Sequence, residues 1–334
     1  MEIFLTLDYE LFLFNPGNNV NQSLIDPTNK LLNMLNRHQI KAVFFVDVGY
    51  LISLSKQKNK YPQLSDDYYK IVKQLTYLES QGHELGLHIH PHWEDCYFDG
   101  NKWKIDLSRY KLADYTKSQA ESIFTKYYDA LQSLSVKKII SYRAGGWCLE
   151  PFSHIRDTMK LHGIYIDATV VPGGYQHTAT HSYDFRNYPN KPIWNFNIDP
   201  SIIDDQGCFY EIPCTSHTLP QLHYWKKIIN VLFRPNHKDT LGEAVKPTMK
   251  EVFRKLFFKN IDAVSIDSNK SNSLLASFKY KEYEQDAYYS IIGHPKCFDE
   301  LTYTNLDTFL NYALKRGHRF IIFSGNVKKP INFN

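Results

Sequence analysis

Three histidines, at 88, 90 and 92, fall within five positions of the stretch GHELGLHIHPHW, residues 82–93, directly after an apolar run. Neutral imidazole is the commonest metal ligand, so the cluster suits a cation; in a chain with 14 histidines it suits a polar loop as well. The choice depends on which other groups reach the same place. Asp8 and Glu10 follow the apolar run EIFLT, Arg143 closes KIISYRA, Asp167 lies in IYIDATVV, and His294 follows AYYSIIG. His88 and His92, three residues between them, joined by a carboxylate from another segment, would form a two-histidine, one-carboxylate set. Those are the donors of a catalytic zinc that keeps one position open for water.

The elements that must carry these residues alternate between two periods. EIFLTLD, KAVFFVDV, ELGLHIH, KIISYRA, IYIDATVV, AYYSIIGH and RFIIFSG read as buried strands. Helical spacing runs through PTNKLLNMLNRH, DDYYKIVKQLTYLESQG up to Gly82, residues 116–133, EPFSHIRDTMKLHG and about 303–316. Strands alternating with helices predict an α/β chain with a parallel sheet, open or closed into a barrel, whose polar groups converge at the carboxyl ends of the strands. Period two sets Asp8 and Glu10 on one face with Tyr9 on the other, and pairs His88 with His90. Pro91 biases His90 to an extended backbone and ends the strand, which leaves His92 on the following loop.

Residues 173–285 break the alternation, being rich in Pro, Asn, Tyr and His, and read as an insertion within a single domain spanning 1–334. The stretch 221–260 inside it carries nine Lys or Arg against three Asp or Glu and has amphipathic character. A solvated helical face is its plain explanation, and peripheral contact with a membrane surface or a lipid-linked substrate the other.

Composition limits the alternatives. With 43% apolar and 15% aromatic residues the chain can bury a large core, and a net charge of +4 over 334 residues gives no argument for nucleic acid. The five cysteines, at 96, 148, 208, 214 and 297, are odd in number and scattered, so neither a disulfide framework nor a thiolate zinc site is expected. Glu2, Asp8 and Glu10 interrupt the first apolar run, no basic region precedes it, and no uncharged run approaches the ~18 residues of a membrane span. A cytoplasmic location is the resulting expectation.

The motifs together resemble those of the polysaccharide deacetylases, carbohydrate esterase family four, the NodB-homology type. LTLDYE resembles the family's first motif, GHELGLHIHPHW the second, YRAGGW the arginine motif, DATV the acidic motif and IIGHPK the final histidine motif, in family order across residues 3–296. The resemblance implies an incomplete or distorted (β/α) barrel of about seven parallel strands that hydrolyses an N-acetyl or O-acetyl group on a sugar with a divalent metal, most simply zinc. Carried over by position, it makes His88 and His92 metal ligands, Asp8 the general base, Arg143 its orienting partner, His294 the general acid and Asp167 the carboxylate that orients His294. The family usually has two adjacent aspartates in its first motif, where this chain has Asp8, Tyr9 and Glu10. Strand parity favours Glu10 as the third ligand. His90 has no counterpart and is expected to support the site by hydrogen bonding. Trp93 and Trp147 could offer flat faces to a sugar ring, as readily as they could pack the core.

Acetylated saccharides, nucleotide sugars and lipid-linked glycans of surface-polysaccharide metabolism are the substrates this implies. A related C–N hydrolase acting on a small cyclic amide, and a glycan-binding module without catalysis, are the alternatives.

Overall fold

The computed structural model describes residues 1–12, 20–219, 253, 256–257 and 260–333. Its first strand, β1 (Glu2–Tyr9), is buried along nearly all of its length, with only Thr6 and Asp8 interrupting an apolar run after Glu2. Such a run marks a parallel strand covered on both faces. Helix α1 (Asp26–Arg37) opens with a proline in its first turn, where no amide bond is lost, and buries Leu31, Leu32, Met34 and Leu35. It leads into β2 (Val43–Asp47), whose last residue caps α2 (Val48–Gln57) by accepting from the Gly49 amide at 3.2 Å. After α3 (Pro62–Ser80) the chain turns at Gly82, with φ at 86°, into β3 (Glu84–Ile89).

The alternation continues with α4 (Lys117–Gln132), β4 (Ser141–Ala144), α5 (Arg156–His162) and β5 (Ile166–Asp167). Two short strands follow, β6 (Trp194–Phe196) and β7 (Phe209–Glu211), and then α6 (Leu274–Tyr283), β8 (Tyr288–Gly293), α7 (Glu300–Lys315) and β9 (Arg319–Ile321). One nine-stranded sheet runs in the order β6-β7-β5-β4-β3-β2-β1-β8, with β9 also pairing β1. Every pairing in it is parallel except that of β6 with β7. The sheet curls into a half-barrel, as expected, and the stretch 173–285 contributes β6 and β7 to it.

The gap is bridged by the chain itself. The amide of Cys214 bonds to the Val170 carbonyl beyond β5 at 2.9 Å, and that of Thr215 to the Ser290 carbonyl on β8 at 3.0 Å. Ser216–Leu219 pairs antiparallel with Asn260–Ala263, and the chain then runs along the outer edge of β8, where Ser265 bridges Ile292. Most of the basic stretch 221–260, and with it the expected membrane-surface contact, lies outside the described residues. No helix among the described residues is long and apolar enough to cross a membrane.

At the carboxyl end of β5, Asp167 stands in register with Glu211 on β7, both fully buried. Burial raises both carboxyls above the ordinary carboxylate range, Glu211 the more strongly because the Asp167 charge adds to it. Two such groups can face each other only with a proton between them. The unfolded chain releases that proton as pH climbs past the ordinary range while the folded chain keeps it, so the pair draws stability down with rising pH. Glu211→Gln keeps a donor toward Asp167 and an acceptor for the Val170 amide, and removes the titration. The variant should match wild type near pH 4 and exceed it by on the order of 1 kcal/mol near pH 8 in denaturant unfolding. Parallel pH profiles would show that no proton is shared.

Candidate active site

Arg143, on β4, has no exposed surface. Its guanidinium reaches across the barrel to Asp8 Oδ1 at 2.6 Å, to Thr6 Oγ1 at 2.8 Å and to the Ala168 carbonyl at 2.8 Å, and it lies over the Phe45 ring. Thr6 and Asp8 stand on β1, Phe45 on β2 and Ala168 just after β5, all in the one curled sheet. Burial alone would raise the Asp8 pKa, but the Arg143 guanidinium and the contact with His294 hold it well below the carboxylate range. Asp8 is therefore an ionised carboxylate with one oxygen committed to Arg143 and the other, Oδ2, facing His294 Nε2 at 3.4 Å and His88 Nε2 at 3.9 Å.

As period two requires, Glu10 projects to the same side, while Tyr9 points away and bonds Gln74 at 2.7 Å. Glu10 Oε2 faces two imidazoles, His90 Nε2 at 2.6 Å and His88 Nε2 at 3.5 Å. Its other oxygen, Oε1, accepts from the buried ammonium of Lys296 at 3.0 Å. Burial opposes ionisation of Glu10, and Lys296 and His90 overcome it, leaving the pKa well below the usual value.

His88 Nδ1 stands 2.9 Å from the Arg143 carbonyl. A carbonyl only accepts, so Nδ1 carries the proton and the lone pair of Nε2 is turned toward Glu10. Ligand atoms of Glu10, His88 and His90 all lie within 4.8 Å of one another. Two imidazole nitrogens and a carboxylate oxygen, one tautomer already fixed by a backbone acceptor, fit a zinc-like cation.

The expected partner of His88 was His92, with His90 in support. Among the described residues, the ligand-type atoms of His90, and not those of His92, gather with those of His88 and Glu10. His88 on β3 and the extended His90 just beyond it share one face by alternation, whereas the chain turns at Pro91–Glu94 and swings His92 aside. The His92 ring lies flat on that of Tyr110, 5.6 Å between centroids and 5° between planes, and joins no ligand group with Glu10 among the described residues. Burial holds its pKa well below the imidazole range, so it is neutral.

A second correction concerns His294, which follows β8. Its partner is Asp267 and not Asp167. Asp267 Oδ2 lies 2.6 Å from His294 Nδ1, and Oδ1 accepts from the His294 amide at 2.6 Å. Asp167 is four strands away from β1 on the far arm of the half-barrel, where it accepts from Thr169 and meets Glu211. Burial disfavours charge on His294, but Asp267 and Asp8 on its two nitrogens raise the pKa well above the usual imidazole value.

Trp93 takes the core-packing alternative. It is 3% exposed, packs against Tyr50 and Trp103, and donates its indole N–H to Asp47 at 2.7 Å. It has no face for a sugar, and a Cβ on Gly49 would come within 2.7 Å of its ring. Trp147 is half-buried in the turn after β4, with φ at 65°.

Lys296, Asp267 and Asp47 were not singled out from the sequence. Asp47 closes β2 and Asp267 follows the apolar run AVSI, so the strand-end rule that found Asp8 points to both. Burial pushes the Asp47 carboxyl up to about 6. Lys296 carries no comparable signal.

No family model and no curated protein matches the chain. Among solved structures, a protein from Mycobacterium smegmatis described as a polysaccharide deacetylase aligns with a TM-score of 0.52 at 11% identity, over 96% of this chain and 86% of that one. An allantoinase aligns at 0.48 and 12% identity, over 96% of this chain and 86% of its own. A protein from Pseudomonas aeruginosa PAO1 described as a polysaccharide deacetylase aligns at 0.47 and 10%, over 96% and 87%. The first of these shows that the chain shares the fold its motifs resemble.

The geometry predicts which histidines hold a metal. Zinc titration of single variants should show His88→Ala and His90→Ala losing affinity by more than the roughly 10–100-fold that follows loss of a supporting partner, with His92→Ala close to wild type. Loss at His92 equal to that at His90 would restore the spacing-based assignment.

Proposed function

We propose that the chain is a metal-dependent hydrolase that removes an acetyl group from an N-acetylated or O-acetylated sugar. One observation carries the reading: an arginine-held carboxylate and an aspartate-held imidazolium flank the same three-ligand cluster, Oδ2 of Asp8 and Nε2 of His294 lying 3.4 Å apart. A base and an acid arranged this way around a cation site suit cleavage of an amide or ester. A divalent cation on Glu10, His88 and His90 would supply Lewis acidity toward the acetyl carbonyl and make water more acidic.

The protein's own groups divide the proton transfers. Asp8 receives the proton of the attacking water at Oδ2, the oxygen that Arg143 leaves free. Arg143 keeps Asp8 ionised and fixes its orientation through a charge-assisted bond. His294 delivers the Nε2 proton to the departing amine or alcohol, while Asp267 holds Nδ1 and stabilises the charged ring. At 23% exposure the His294 side chain is the most open of this set, against 5% for Asp8 and 7% for Glu10, so the leaving group departs on its side.

Acetate release from a panel of acetylated oligosaccharides, nucleotide sugars and lipid-linked glycans, with zinc supplied, tests the reading. Release from at least one class supports it; a ring-opened cyclic amide without acetate, or saccharide binding without turnover, overturns it. Within an active panel member, Asp8→Asn should keep its zinc and lose roughly 10² or more in turnover, the scale of general-base catalysis. Asp267→Asn should also keep zinc and lose turnover, whereas Asp167→Asn should leave the rate within a few-fold. A rate loss for Asp167→Asn matching that of Asp267→Asn would reject the reassignment.

A further inference from the structure

Lys296 occupies an unusual position for an ammonium. It sits in the short turn Pro295–Cys297 directly after His294, with its side chain 2% exposed. Its Nζ donates to Glu10 Oε1 at 3.0 Å and to the Leu11 carbonyl at 2.9 Å, and the Phe12 ring lies 5.4 Å away. A buried lysine persists where its charge is matched, and here the matching charge belongs to the carboxylate that faces the two histidines.

The two oxygens of Glu10 are thereby divided. Oε2 faces His90 and His88, and Oε1 is held by Lys296. A carboxylate binds a cation through one oxygen or through both; with an ammonium on Oε1, whose charge repels a cation there, Oε2 is the favoured oxygen. A second donor group, Asp8, Glu10 and His294, also lies with its ligand atoms within 4.8 Å of one another and shares Glu10 with the first. In that second group the Glu10 atom nearest His294 is Oε1, at 3.6 Å from Nε2, the oxygen on which the ammonium already sits. Lys296 thus places a fixed positive charge where a second cation would need to bind.

We propose that Lys296 is a positioning residue that restricts Glu10 to one-oxygen coordination and limits the site to a single metal ion, keeping Asp8 and His294 free as base and acid. The inference rests on the reading of Glu10, His88 and His90 as the metal ligands. It makes the two ligand groups that share Glu10 a one-metal site rather than a two-metal centre of the kind that clamps two oxygens in other hydrolases, and leaves positions around that cation for water and the acetyl oxygen.

The test uses cobalt(II) as a spectroscopic substitute for zinc in the full chain. Metal content per chain and the visible absorption spectrum are measured for wild type, Lys296→Met and Lys296→Arg. Wild type should bind one cobalt. Lys296→Met should show weaker visible bands, from the higher coordination number of a two-oxygen Glu10, and more than one cobalt per chain at saturation, and Lys296→Arg should return both readouts to wild type. An unchanged spectrum and a single cobalt in Lys296→Met overturn the inference while leaving the metal site intact. Absence of cobalt from wild type overturns the metal reading itself, and the inference with it. X-ray absorption of zinc-loaded wild type gives the same answer without any substitution, so a variant that fails to fold does not stop the test: one carboxylate oxygen at about 2.0–2.2 Å is expected, and two from the same carboxylate contradict the proposal.

Discussion

A guanidinium with no access to water has to be compensated inside the protein, and the arrangement of the barrel interior follows from how Arg143 is compensated. Removing one partner of a buried ion pair costs about 3–5 kcal/mol because the other is left charged and dry. Asp8 supplies the charge, Thr6 and the Ala168 carbonyl each accept from a further N–H, and the Arg143 backbone carbonyl holds His88. One residue on β4 therefore fixes the base, the end of β1 and the tautomer of a histidine on β3. Its neighbour Cys214, 3.5 Å from the guanidinium, belongs to the segment that closes the barrel gap, so closure of the fold and placement of the charge are linked.

A second compensation mirrors the first. Glu10 is buried beside two imidazoles, and Lys296 neutralises it as Arg143 neutralises Asp8. Two carboxylates and two permanent cations leave the interior balanced before any metal is counted, which makes a rigid donor set tolerable at such depth. Asp267 adds a third pairing with His294, brought alongside because residues 264–266 run along the outer edge of β8. Each reactive side chain has one atom fixed by a neighbour and one atom facing the common space, which is the arrangement that preorganised catalysis needs.

Much of this was legible in the sequence. The strand and helix alternation, the parity of Asp8 and Glu10 on one face, and the convergence of Arg143 and His294 follow from period and strand-end logic alone. In two places the geometry groups the residues differently from their spacing. His88 and His92 match a four-residue histidine spacing, but the chain stays extended from His88 to His90 and presents those two together. Asp167 follows an apolar run as Asp267 does, and sequence order cannot tell which of two such strands closes on β8. That depends on the path of residues 212–266 across the gap. Lys296 was invisible because a lysine two positions after a histidine carries no periodic signal; only its burial against Glu10 gives it meaning.

The account stands on a single cation being held by Glu10, His88 and His90 while the Asp8–Arg143 pair remains intact. Diffraction from zinc-soaked crystals, recorded on both sides of the zinc absorption edge, examines this directly. The account predicts one anomalous peak bonded to Glu10 Oε2 and the Nε2 atoms of His88 and His90, with Arg143 still on Asp8 Oδ1. A peak bonded to His92 in place of His90, or one that draws Asp8 away from Arg143 into the coordination sphere, would contradict it.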